Sequence, residues 1–131
     1  MSLVRVVCAV IVNEAGLVLA CKRGRGRFLS GKWEFPGGKV EPEERAEEAL
    51  HRELREELAI SVLIHKSLAE VRWNYGRGDM LLLPFVCRIR DGTPQALEHE
   101  QIRWCDAADL ATLDWAEADV PVLHEYLATI C

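Results

Sequence analysis

An α/β domain built on a mixed β-sheet is predicted by three features of the sequence. β-Branched apolar runs recur along the chain, one long segment free of Gly and Pro carries leucines at helical spacing, and a second helical segment follows the last apolar run. The opening run "VRVVCAVIV" stops at "NEAG" and resumes as "LVLACK", which predicts two strands joined as a hairpin. Next comes "KRGRGRFLSGKWEFPGGKVEPEE", where Gly, Pro and charge should largely interrupt regular structure until a helix begins near Glu43 or Glu44. From Arg45 to Leu58, Ala46, Leu50, Leu54 and Leu58 recur every fourth position, one apolar stripe that must face a core. "ISVLIH", "LAEVRWNY" and "MLLLPFVCRIR" read as three further strands, with Pro84 suggesting an edge or a bulge and "DGTP" a turn. "QIRWC" suits a short last strand and "DAADL" a capped short helix. "EADVPVLHEYLA" suits a helix whose first turn tolerates Pro121.

Composition bounds the function. With 131 residues, half of them apolar, the chain suits one domain spanning 1–131 with a real core. A net charge of -5 and a pI near 5.4 argue against a broad basic face for duplex nucleic acid, whereas a small anionic ligand needs only a local cluster of cations. Cys8, Cys21, Cys87, Cys105 and Cys131 are odd in number and scattered, with no Cys-x-x-Cys pair. They suggest neither a disulfide framework nor a zinc site, and fit a reducing cytoplasm. No apolar run reaches membrane length and the start lacks the marks of a signal segment, so a soluble protein is expected.

The stretch "GGKVEPEERAEEALHRELREELAI" is dense in glutamate. At about 100° per residue, Glu53, Glu56 and Glu57 share one arc of the helix beside the leucine stripe, so the acids border its buried side. Some like charge is offset by Arg52, placed to pair with Glu48 and Glu56 at i,i+4 spacing. A solvated, salt-bridged face is the plain reading of such a run. The chemical alternative is a cluster of hard oxygen ligands for Mg²⁺.

The flanking residues favour the alternative. Gly38, Glu44, Arg52, Glu53, Leu54, Glu56, Glu57 and Ile60 match the Nudix box, Gly-x5-Glu-x7-Arg-Glu-U-x-Glu-Glu-x-Gly-U with U aliphatic, and the chain resembles a Nudix hydrolase. Ala59 departs from the pattern, which has Gly there; Gly would permit a left-handed backbone that Ala adopts only at a cost. The resemblance implies an α/β/α sandwich with a mixed sheet, in which the box forms a loop–helix–loop. It further implies that Glu53, Glu56 and Glu57 ligate a divalent metal, Mg²⁺ with Mn²⁺ as the alternative, together with the Gly38 carbonyl. Glu44 and Arg52 take supporting roles. Resemblance to the MutT-like branch implies that a glutamate beyond the box also contributes, and "LEHEQIRWC" offers Glu98 and Glu100, each of which also reads as an ordinary exposed acid in a turn; Glu98 is favoured as ligand or general base, with Glu53 as the alternative base.

The wider pattern "KWEFPGGKVE" with "LREEL" and "EADVPVL" is similar to MutT-type nucleoside triphosphate pyrophosphohydrolases, which release a nucleoside monophosphate and pyrophosphate. Lys22, Arg23, Arg25 and Arg27 stand among glycines suited to phosphate oxygens, with Arg23 the preferred contact. Phe35 either touches the base or fills the core. Asp119 matches the position that reads the base edge in the resembled enzymes; capping the last helix is its structural alternative. An ionised Asp only accepts hydrogen bonds, which suits the amine of cytosine and favours (d)CTP or modified dCTP, with 8-oxo-dGTP close behind. Nucleotide sugars, dinucleotides and a non-catalytic nucleotide-binding domain are the remaining readings. His51, His65, His99 and His124 show no zinc-ligand spacing, and a monomer or weak homodimer is expected.

Overall fold

The computed structural model describes residues 3–130, so Cys131 lies outside the described residues. The first strand, β1 (Val4–Ile11), is buried on both sides along its second half. Val7, Ala9 and Ile11 join one apolar cluster, and Cys8 and Val10 the other, as the two-residue strand period requires. The chain then turns at Asn13, whose side-chain oxygen accepts from the Ala15 and Leu17 amides at 3.0 and 2.9 Å, and enters β2 (Val18–Lys22).

The expected hairpin does not form. β1 is paired on both edges by other strands, antiparallel to β4 (Gly37–Lys39) and parallel to β7 (Asp79–Asp91), so β2 is diverted to a second sheet. A single bridge, Val12 to Val18, remains of the pairing. β2 instead lies between β3 (Trp33–Glu34) and β8 (Gln101–Cys105), antiparallel to both. The predicted irregular stretch after Lys22 therefore contains two short strands, one for each sheet. The mixed-sheet expectation holds for the larger sheet, ordered β4-β1-β7-β5 with β5 (Ser61–Ser67), while β6 (Val71–Asn74) also pairs with β7.

Pro84 lies in β7, which has partners on both sides, so it marks no edge. Its carbonyl accepts from Leu68 at 2.9 Å, between the Ser67–Phe85 and Val71–Leu82 pairs where β5 gives way to β6. The N–H that proline lacks thus falls at a break in the ladder. The nearest bulge is in β5, between Ile64 and Lys66.

Helix α1 (Ala46–Leu58) begins just after the expected start at Glu43 or Glu44. Glu48 does not pair with Arg52; its carboxylate accepts from the Arg45 amide at 2.8 Å and closes the first turn. Ala49, Leu50, Leu54 and Leu58 bury against Val7, Ala9, Ile11 and Leu19. On the opposite side α2 (Ala107–Thr112), capped by Asp106, and α3 (Val120–Ile130) contribute Leu110, Val122 and Tyr126 to the second cluster. Helices on both sides of the strands make the α/β/α arrangement. The last helical segment opens with a 3-10 turn, Glu117–Asp119, rather than as one continuous helix.

Candidate active site

A cleft of about 380 Å³ opens between α1, β1, the 23–31 loop and the 116–119 turn. Its charged end is organised by Arg52. The guanidinium bonds Glu44 at 2.7 and 2.9 Å, Glu53 and Glu56 each at 3.0 Å, and the Lys39 carbonyl at 3.0 Å. Hydrogen bonds from Arg52 and from the Glu41 amide hold Glu44 down to about 2, so it is ionised throughout the physiological range. Glu53 lies against the Gly38 backbone so closely that a Cβ at position 38 would collide with its carboxylate. Glu57 is 7% exposed, and its Oε1 has no hydrogen-bond partner among the described residues. Burial first, then the charges of Glu34 and Glu53, raise its carboxyl.

The other end of the cleft is apolar with a few buried polar groups. β3 organises it: Trp33 donates to the Asp114 carbonyl at 2.9 Å and accepts from Ala116 at 2.8 Å, which brings the 116–119 turn alongside. Asp119 Oδ2 accepts from the Phe35 amide at 2.8 Å, a bond to the residue just after β3 rather than the helix cap considered above. Asp119 is 8% exposed; burial and the Glu34 charge push its carboxyl up to about 8, against the lowering effect of the Phe35 amide and Arg23. Phe35 packs on Trp115 with ring centroids 4.7 Å apart. Tyr75 accepts from the Ala118 amide at 2.7 Å and meets the edge of Phe28, over which Arg77 is stacked at 3.8 Å.

A divalent cation fits the charged end. An unpartnered, buried carboxylate oxygen at Glu57 and a glycine backbone pressed on Glu53 offer hard oxygen donors. Among the described residues no three acidic, histidine or cysteine side chains form a ready-made cage. A hard divalent cation suits such an open site, since retained waters can complete its oxygen ligands.

A family model described as the NUDIX domain matches residues 2–126, nearly the whole chain. This chain belongs to the NUDIX domain family. The Nudix hydrolases it resembles include the CTP pyrophosphohydrolase of Escherichia coli K12, 35% identical over 128 residues that cover 98% of this chain and 94% of that one. A putative 8-oxo-dGTP diphosphatase 2 of Mycobacterium tuberculosis is 35% identical over 88% of this chain and 82% of its own length. The solution structure of the E. coli ORF135 protein superposes with a TM-score of 0.87 at 34% identity, covering 100% of this chain and 93% of that one. The chain is accordingly a hydrolase of the Nudix family with the family's α/β architecture.

Of the residues singled out in the sequence, Gly38, Glu53, Glu57, Glu98, Arg23, Phe35 and Asp119 all line the cleft. Glu56, Glu44 and Arg52 lie outside its lining, with Glu56 half exposed beside Arg52. Arg23 is already engaged, its Nε on the Phe28 carbonyl at 2.6 Å and Nη1 on Glu34 at 2.8 Å. Lys22 pairs with Glu100 at 3.2 Å, which takes Glu100 away from the cleft that Glu98 lines. Sequence reasoning missed Glu34, Tyr75 and His99. Glu34, inside "KWEFPGG", was the one with a signal: an acid two residues before Pro36, which is buried where the chain enters β4.

Proposed function

We propose that this Nudix hydrolase is a Mg²⁺-dependent nucleoside triphosphate pyrophosphohydrolase acting on (d)CTP or modified dCTP. Water adds across the phosphoanhydride and the products are a nucleoside monophosphate and pyrophosphate. One observation carries the reading: a single cleft joins a carboxylate-rich end to an apolar end closed by Asp119, as a ligand with a polyphosphate and a base requires. The 35% identity to a protein named CTP pyrophosphohydrolase, across nearly all of both chains, supports the cytosine preference.

Glu53, Glu57, the Gly38 carbonyl and Glu98 would hold the metal, with Glu56 at its outer side and Mn²⁺ as an alternative ion. When bound, the cation neutralises phosphate charge and lowers the pKa of a coordinated water. Arg52 and Glu44 keep Glu53 and Glu56 oriented by ion pairing. Glu98 is the favoured base, because among the described residues no hydrogen bond holds its carboxylate, whereas Glu53 is occupied by Arg52. Arg23 grips phosphate with the donors left by Glu34 and Phe28, Phe35 backs the base pocket, and Asp119 reads the base edge. Among the described residues the cysteines Cys8, Cys21, Cys87 and Cys105 are buried and free, which suits action in the reducing cytoplasm.

A second reading is supported by a specific observation. With its carboxyl pushed up to about 8, Asp119 carries a proton at neutral pH and can donate to a 6-oxo purine; this favours 8-oxo-dGTP. Pyrophosphate release with Mg²⁺ across normal and damaged nucleoside triphosphates, beside an EDTA control and Glu57→Gln, decides between them. Cytosine triphosphates turned over fastest, with loss in EDTA and in the variant, is the expected result; equal turnover of all bases would remove the base assignment, and inactivity on every triphosphate would remove the reaction.

A further inference from the structure

His99 sits beside the candidate base Glu98, yet its own side chain is only 3% exposed. Its Nε2 lies 2.9 Å from Glu34 Oε2, while Nδ1 is buried without a partner among the described residues. A carboxylate oxygen only accepts, so Nε2 carries a hydrogen, and in the neutral ring Nδ1 then holds the lone pair. The other Glu34 oxygen accepts from Arg23 at 2.8 Å. Glu34 is thereby gripped on both oxygens by donors from two separate segments. Its charge acts on both ends of the cleft, on Glu57 and on Asp119.

The segment around His99 is held by backbone bonds on either side, Leu97 N–H to the Glu57 carbonyl at 3.2 Å and Glu100 N–H to the Lys22 carbonyl at 3.0 Å; between them the other fastenings are exposed side-chain contacts. The Glu98 carbonyl accepts from Arg27 at 3.1 Å, and Glu100 reaches Lys22 through its carboxylate at 3.2 Å. Water screens these contacts, whereas the His99–Glu34 bond is sheltered. A leucine of similar size would fill the same space without stranding Nδ1, so packing alone does not account for an imidazole here.

We propose that His99 is a positioning residue: through Nε2–H it orients Glu34, and through the backbone it fixes the segment presenting Glu98 to the cleft. The inference rests on the hydrolase reading of that cleft. It predicts that Glu34, Arg23 and Glu98 are set as one unit.

Two measurements test it. The first compares kcat and KM of His99→Leu, His99→Gln, Glu34→Gln and the His99→Leu/Glu34→Gln pair on whichever triphosphate the unaltered protein hydrolyses fastest. Expected is a fall in kcat of about tenfold for His99→Leu, the scale of one charge-assisted hydrogen bond, with KM and thermal midpoint nearly unchanged. His99→Gln, which keeps an N–H donor, recovers most of the loss, and the double variant is no slower than Glu34→Gln alone. Unchanged kcat per folded molecule, or multiplicative losses in the double variant, overturns the proposal. The second needs no substrate: ¹⁵N shifts of the His99 ring should report the Nε2–H tautomer and respond to Glu34→Gln. An Nδ1–H tautomer, or no response, overturns it even if every triphosphate proves inert.

Discussion

The two ends of the cleft hold their carboxylates by opposite means. At the charged end the contacts are local: Arg52 bonds partners one, four and eight positions away, Glu53, Glu56 and Glu44. At the apolar end they are distant, with the Tyr75–Ala118, Glu34–His99 and Phe35–Asp119 bonds spanning 43, 65 and 84 positions. The electrostatic outcome differs in step. Arg52 keeps Glu44 ionised, down to about 2, whereas Asp119 has no ion-pair partner among the described residues and burial drives it toward the neutral form. Glu57 belongs to the charged end by chain position and to the other by its burial, so it marks the boundary between them.

The strongest way to break this comparison is Glu57→Gln. If the unpartnered Oε1 awaits a cation, the variant loses turnover in Mg²⁺ by roughly 10²- to 10³-fold, the scale of losing several kcal/mol of metal-assisted charge stabilisation. The metal-free protein should melt no lower, because no hydrogen bond to Oε1 is lost. Mg²⁺ should raise the melting point of the original protein by mass action, and that rise should vanish in the variant. A drop of many degrees without metal would instead make Glu57 a structural residue.

Asp119→Asn probes the apolar end. A carboxyl raised from 3.8 to about 8 favours the fold fully below its unfolded value, and that contribution is lost as pH rises through the folded one. Stability of the original protein should therefore decline between about pH 4 and pH 8. Asn keeps an oxygen for the Phe35 amide but cannot ionise. Denaturant melts should show the variant gaining on the original by a few kcal/mol across that window. Preference between cytosine and 6-oxo purine triphosphates should shift about tenfold, the worth of one hydrogen bond of correct polarity. An unshifted preference would separate Asp119 from base reading.

Legibility in the sequence follows the same division. The glutamate helix could be read because its spacing alone determines which residues share a face, and Gly38 falls within the same local pattern. The second sheet could not, since β1 has apolar residues on both faces and its sequence does not reveal that β4 and β7 occupy both edges. β3 has two residues and leaves no periodic trace, yet it aligns Glu34, Phe35 and Asp119. Tyr75 lay within a predicted strand, and nothing in that stretch discloses a partner 43 positions away. Pro84 misled for a related reason: an absent N–H shows where a ladder breaks, and only the pairing shows that the break lies between two partners of a central strand.

Tyr75→Phe sharpens the contrast at lower cost. The ring stays against Phe28, but the Ala118 amide loses its acceptor. Stability should fall by about 1 kcal/mol, readable in a urea melt with unchanged slope. Because Ala118 precedes Asp119, discrimination among bases should weaken while the Mg²⁺-induced rise in melting point persists. Loss of that rise would mean the two ends are not separable.

The smallest effect is expected at Ala59, just beyond the glutamates. Ala59 adopts φ 58 and ψ 38 and ends α1 with its amide bonded to the Arg55 carbonyl at 3.1 Å. An L-residue with a Cβ is disfavoured there by about 1 to 2 kcal/mol, and glycine removes the clash at some expense in unfolded-chain entropy. Ala59→Gly should therefore raise stability by about 0.5 to 1 kcal/mol, a gain of a few degrees in melting temperature for a domain of this size. Turnover should not change, since Arg52 rather than the final turn holds Glu53 and Glu56. If the variant is more stable but slower, the left-handed turn helps to aim Glu57, and the charged end depends on more than its local ion pairs.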